Sequence, residues 1–457
     1  MVVKMSEKLC KLIAALLSAV MLMSCFGCGN SGGHGKGKTV ETDKSITDLM
    51  ADMRQGGAVE IEKQPDITDS EEGNGMSGLG MDEFCVSAAD FAITLLRENV
   101  QTTEGNVLVS PVSLLNVLAM TANGAGADTR GQMLSMLAGS EDIEGLNRDM
   151  KAWMAKLGNA ENVRMQIANS VWIHGDAEHL TVEGSFLRQN AMYYDADIYH
   201  APLTKNTASI MNRWVSDKTD GEINNIIEEL SDDAVMTLIN TVTFDARWKR
   251  AYDEYDVYNR VFINALGEKE NVSMMFAAEY QYIEDENAVG FVKPYQDSYS
   301  FVAILPNEGI TPADYLQTLD GEHFLALLAD TALEENTVLE TCVPKFRAEY
   351  NVELSPILKN MGMMDAFDTL KADFSGIGNM DNGQNLYINT VLHKTYIAVD
   401  ELGTKARAAS ADGFCATSDE AAWEAICVYL NRPFIYAIID TQTNIPIFIG
   451  VVNSVLG

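Results

Sequence analysis

Residues 401–410, ELGTKARAAS, place Thr404, Ala406, Ala408 and Ser410 at every second position behind a Gly-Thr opening, between an apolar strand and a C-terminal hairpin. In an extended chain these four side chains point to one face. All are small. Such a face slips between two strands already in place, whereas larger side chains would have to push apart a close-packed interior. Gly403 opens the run and, lacking a Cβ, reaches backbone angles closed to other residues. The segment therefore predicts a loop able to become a strand, with Gly403 as its pivot.

The N-terminal end has a different logic. Lys4, Lys8 and Lys11 precede or open an apolar stretch, 12–23, that stops at Ser24-Cys25-Phe26-Gly27-Cys28. Crossing a bilayer takes roughly 20 apolar residues, so this shorter stretch reads as a signal peptide over residues 1–24. Leu22-Met23-Ser24-Cys25 resembles a bacterial lipobox, whose cysteine carries the lipid, with Cys25 as the attachment residue. Cys28 is the alternative, and ordinary secretion with cleavage nearby is the other. Each places the protein outside the cytoplasm. Residues 25–80 are rich in Gly, Ser, Asp and Glu, with a short helix the most that 46–53 supports, and read as a flexible acidic tether. A flexible linker of that length spans on the order of 40 Å root-mean-square.

The net charge is −34, and about −36 once a leader with three Lys and one Glu is removed. Nucleic acid and anionic membrane surfaces are poor partners for such a chain, while a cationic protein would be steered toward it. The seven cysteines have neither metal nor redox spacing, so no disulfide framework is expected. Residues 32–39, GGHGKGKT, match the phosphate-binding G-x-x-x-x-G-K-T pattern, and Gly29-Asn30-Ser31-Gly32-Gly33 matches G-x-S-x-G. Both lie in the glycine-rich tether without the strand and helix that give these motifs their chemistry. His174 and His179 lack H-E-x-x-H spacing, and His393 follows apolar Val391 and Leu392 like a core or hinge histidine. No enzyme, metal or cofactor follows from these residues.

From 81 onward the texture is that of a folded domain, 81–457. Phe84, Ala88, Phe91, Ala92, Leu95 and Leu96 recur at helical spacing, and Ser110-Pro111 has the chemistry of a helix start. VMTLINTVTFDA (235–246), FVAILP (301–306) and the last hairpin read as strands. These residues alone predict a mixed α/β domain. The blocks NVLVSPVSLLNVLAMTANGAGADTRGQML (106–134), ANSVWI (168–173), MNRWVSDKTDGEINNII (211–227), LINTVTFDARWKRAYD (238–253), VPKF (343–346), LKNMGMMDAF (358–367), ADFSGI (372–377), LYINTVLHKTYIAVDELGTKARAAS (386–410) and NRPFIYAIIDTQTNIPIFIGVV (431–452) resemble those of the serpin family, in the same order.

The resemblance implies an α+β serpin fold with three β-sheets, about nine helices and an exposed reactive loop at about 401–428. It implies a suicide-substrate inhibitor of extracellular serine proteases, not an enzyme, that acts as a monomer without cofactor. The hinge would be Glu401, Gly403, Thr404, Ala406, Ala408, Ala409 and Ser410, with Lys405 and Arg407 on the opposite parity, free to remain in solvent. Asp412 falls on the inserting face, where a carboxylate needs a partner or a proton. Ser110, Ser113, Asn240 and His393 match the polar cluster that holds the sheet shut, Lys345 and Glu401 an ion pair at the loop's entry, and Trp214 a tryptophan near that entry. Family spacing from Gly403 puts the reactive bond at Thr417-Ser418. No Lys or Arg occurs from 409 to 429, which excludes trypsin-like targets. Thr417, or Ala416 after a slip, suits elastase-like or subtilisin-like enzymes, and Phe414 a chymotrypsin-like one. The alternative is a non-inhibitory serpin serving as a cell-surface binding lipoprotein.

Overall fold

The apolar periodicities resolve into sheets and helices in a computed structural model that describes residues 46–55, 81–157, 162–174, 180–231, 234–381, 383, 385–404 and 424–456. A seven-stranded sheet runs in the order β1 (Thr47–Asp48), β5 (Asp197–Ala201), β3 (Val163–His174), β6 (Met236–Arg247), β16 (Gly403–Thr404), β15 (Thr390–Val399) and β13 (Phe346–Glu353). A six-stranded sheet has the order β2 (Val107–Val109), β19 (Pro446–Val452), β18 (Phe434–Asp440), β11 (Tyr299–Pro306), β10 (Ala288–Pro294) and β9 (Tyr282–Glu284). A four-stranded sheet joins β17 (Glu424–Tyr429), β12 (Thr337–Pro344), β8 (Lys269–Glu279) and β7 (Val257–Ile263). The pair β14 (Gly378–Met380) and β4 (Leu180–Val182) stands apart. Nine α-helices are described within 81–457.

The long helix Met81–Thr102 buries Phe84, Ala88, Phe91, Ala92, Leu95 and Leu96, so its apolar stripe became its core face. The helix Pro111–Ala122 is buried along its whole length. It runs beneath the seven-stranded sheet, touching β3, β6 and β19. Pro111 occupies its first turn, but the Ser110 hydroxyl does not cap it. That hydroxyl instead donates to the Ile447 carbonyl of β19 at 2.8 Å, because the helix start is buried against the six-stranded sheet.

Residues 46–55 correct the tether reading for that stretch. Thr47 and Asp48 pair with His200 and Tyr199 on the edge of the seven-stranded sheet, and a short helix, Ala51–Gln55, follows. Met50 is buried, and Arg54 pairs with both Asp48 and Asp197. An open sheet edge offers unpaired backbone groups, and two residues suffice to cover part of it.

Candidate functional site

β15 ends at Val399 and turns back through Asp400 to Gly403. The Asp400 N–H donates to the Gly403 carbonyl at 2.9 Å, and its carboxylate accepts from the Leu402 and Gly403 amides at 2.9 and 3.3 Å. Asn and Asp side chains close turns in this way. Gly403 has φ +155°, and a Cβ there would lie 2.1 Å from the Ala246 carbonyl oxygen and 2.7 Å from the Arg247 Cα. Only glycine fits that pivot.

The turn delivers Thr404 between β6 and β15. Thr404 registers with Ala246 on one side and Val399 on the other, antiparallel to both. Its side chain is buried, and its hydroxyl meets the Tyr295 hydroxyl at 2.6 Å. Lower down, β6 and β15 pair directly and in parallel, from Thr243↔Tyr396 to Thr237↔Thr390. The seam between them is thus open by one rung at the top and closed beneath.

Several groups hold the turn. The Trp248 and Tyr252 amides donate to the carbonyls of Leu402 and Glu401 at 3.0 and 2.9 Å, and the Trp248 indole N–H donates to the Asp400 carbonyl at 2.9 Å. Lys345, in the link between β12 and β13, pairs with Glu401 at 2.6 Å. Burial alone would raise the Glu401 carboxyl, but the hydrogen bond and charge of Lys345 outweigh it and hold the group below its usual range. Trp214 is elsewhere. It lies on the helix Lys205–Lys218, packs edge-to-face on Trp172 and donates its indole N–H to Asp197 at 3.1 Å. The tryptophan at the loop's entry is Trp248, which the sequence also displays, within the block 238–253.

The polar cluster lies under the closed part of the seam. The Ser110 amide donates to His393 Nε2 at 3.1 Å, which leaves His393 Nδ1 to donate to Asn240 Oδ1 at 2.5 Å. The Ser113 hydroxyl donates to the same Asn240 oxygen at 2.8 Å, and Asn240 Nδ2 donates to Asn169 Oδ1 at 2.6 Å. Asn240 thereby links β3, β6, β15 and the buried helix. Burial pushes the His393 imidazole down to about 3, so it is neutral and keeps this tautomer. Asn169 went unnoticed in the sequence, where ANSVWI marks it as one polar residue in a strand; only its register opposite Asn240 reveals it. His174 is a core histidine, its Nε2 2.9 Å from the Thr237 hydroxyl and its imidazole pushed down to about 4 by burial.

Ala406, Ala408, Ala409, Ser410, Asp412, Phe414, Thr417, Ser418, Cys25, His179 and both tether motifs lie outside the described residues.

The family model described as Serpin (serine protease inhibitor) matches residues 86–455. An uncharacterized serpin-like protein of Methanosarcina acetivorans is 26% identical over 460 residues, covering 97% of this chain and 98% of its own. Among solved structures, the thermophilic serpin tengpin in its native state is 41% identical with a TM-score of 0.78, covering 90% of this chain and all of that one. The same protein in its latent state gives 40% identity and a TM-score of 0.70, covering 84% of this chain and all of that one.

Proposed function

Because the chain belongs to the serpin family of serine protease inhibitors, we propose that it is a suicide-substrate inhibitor of extracellular serine proteases with elastase-like or subtilisin-like specificity. The observation that carries this reading is Thr404, seated between β6 and β15 and antiparallel to both. A chain continuing downward from Thr404 would replace one parallel ladder by two antiparallel ones, the tighter arrangement. Each ladder bond is worth about 1 kcal/mol net, so a strand of on the order of ten residues supplies on the order of 10 kcal/mol.

The chemistry follows from that reserve. A serine protease attacks the reactive bond and forms an acyl-enzyme ester. The freed loop then inserts below Thr404, carrying the esterified protease with it before water completes hydrolysis. Distorting the protease spoils its oxyanion hole and triad, on which deacylation depends. The native fold must accordingly be secured by a barrier, not by an equilibrium. The polar links of Asn240 and the ion pair at Glu401 supply parts of that barrier.

Target choice rests on Thr417-Ser418 as the reactive bond, a small residue suited to a small specificity pocket. A cationic protease of that type would be steered by the acidic chain. Cys25, as lipid-bearing residue, would hold the inhibitor at the outer face of the envelope.

Incubation with pancreatic elastase and with subtilisin, resolved on a denaturing gel, tests the reading. A covalent complex is expected, with cleavage mapped to Thr417-Ser418 by mass spectrometry. Complete loop cleavage without complex at every ratio would instead make the protein a substrate, as a non-inhibitory surface lipoprotein would be. Thr404→Arg should abolish the complex while cleavage persists, since a guanidinium cannot replace the buried hydroxyl. Loss of lipid labelling in Cys25→Ala would test the anchor.

A further inference from the structure

Beneath the turn lies a buried ion pair. Lys293 Nζ, on β10 of the six-stranded sheet, meets Glu279 Oε1, at the end of β8 in the four-stranded sheet, at 2.6 Å. Both side chains are almost wholly buried, at 3% and 6% exposure, in contrast to the third-exposed Lys345–Glu401 pair above. Removing two charges from water carries a penalty that their attraction only partly offsets, so such a pair is weak evidence of stabilisation for its own sake. The surroundings give it another use. The Lys293 ammonium lies 4.1 Å from the centroid of the Tyr252 ring and 5.4 Å from that of Trp248. Trp248 stacks on Tyr295 with centroids 4.2 Å apart and planes 8° from parallel.

These three aromatic residues are the ones that grip the turn: Trp248 through its amide and indole N–H, Tyr252 through its amide, Tyr295 through the Thr404 hydroxyl. The Tyr252 hydroxyl has no partner among the described residues, so its ring and its backbone N–H carry its part. A desolvated cation over an aromatic face is worth more than an exposed one.

We infer that Lys293 and Glu279 are positioning residues for loop insertion: the pair fixes the rings of Trp248 and Tyr252, and these keep the Asp400–Gly403 turn formed before the loop is cut. Insertion then starts from a closed hairpin and only has to propagate. Without the brace the turn opens, the first rung is lost, and hydrolysis of the ester gains on insertion. This rests on the inhibitory reading for its consequence, but not for the brace itself.

The test uses Lys293→Met combined with Glu279→Gln, since either change alone strands a buried charge. The control is Glu270→Gln, which loosens the C-terminal residues Ser454 and Val455 far along the chain. Hydrogen exchange of the uncut protein should accelerate about tenfold at the Trp248 and Tyr252 amides and across 400–404 in the double variant, and not in the control. With elastase or subtilisin, the double variant should be cleaved at the wild-type rate but with a severalfold smaller fraction trapped as complex. A merely structural role would lower the melting temperature in both variants without moving that fraction. Unchanged exchange overturns the brace. Faster exchange with an unchanged trapped fraction overturns its part in insertion. If the wild type traps no protease, the inhibitory reading falls, and the exchange result alone decides the brace.

Discussion

In the six-stranded sheet, β18 and β19 pair antiparallel, every residue of both strands is buried, and Asp440 at one end is the only charge. Along the β6–β15 seam the pairing is parallel, and Thr237, Asn240, Thr241, Thr243, His393 and Thr395 are buried in it. The hairpin is held by apolar area, which no rearrangement recovers once lost. The seam is held in large part by hydrogen bonds, and an incoming strand would replace its one ladder with two. The line along which a strand would enter is therefore rich in polar groups, and the sheet behind it is not.

Four changes probe that difference. The largest effect belongs to the hairpin. Phe448, buried and edge-to-face with Phe244 at 6.0 Å, joins the two sheets, and Phe448→Ala should cost about 3–5 kcal/mol, seen as a large fall in melting temperature. A seam variant should cost less. Asn240→Leu strands Ser113, His393 and Asn169 and should cost about 2–3 kcal/mol, while hastening spontaneous loop insertion, measured as loss of inhibitory capacity on warming. A Phe448→Ala protein that inserted faster than Asn240→Leu would break the comparison.

Acid should act on the seam next. The His393 pKa, about 3 when folded, stands near 6.5 in an unfolded chain, so between those values the unfolded state binds the extra proton. Stability is then present in full above pH 6.5 and is lost as pH falls toward 3. His174 acts in the same sense, down to about 4. Melting temperatures recorded from pH 7 to 4.5 should fall, and the fall should be shallower in His393→Gln. The smallest effect is expected at Glu401→Gln, where a partly exposed pair contributes less than about 1 kcal/mol and salt should mask it.

Much of the fold was legible. The strands read at 235–246 and 301–306 became β6 and β11, and the first helical stripe became a core face. Ser110, Ser113, Asn240 and His393 lie together in hydrogen bonds, and Lys345 pairs with Glu401. Trp214 lies elsewhere; family order says which block holds a tryptophan but not where its indole points. In residues 46–55 the spacing of Ile46, Leu49, Met50 and Met53 supports a short helix but does not disclose that Thr47 and Asp48 pair with a sheet edge far along the chain. Ser110 was read as a cap because a cap is the local use of a serine before proline, and its hydroxyl went to a carbonyl of β19 instead.

The sequence by itself determined what is periodic or local: which faces are apolar, where helices begin, and that Gly403 is followed by small residues at Thr404, Ala406, Ala408 and Ser410, every second position. Only the tertiary structure decided partners. That Thr404 already sits between β6 and β15, that Trp248 and Tyr295 hold its turn, and that Asn169 completes the Asn240 links depend on strand registers between residues far apart in the chain. A period of two or 3.6 encodes a face, and a face does not name what it will meet.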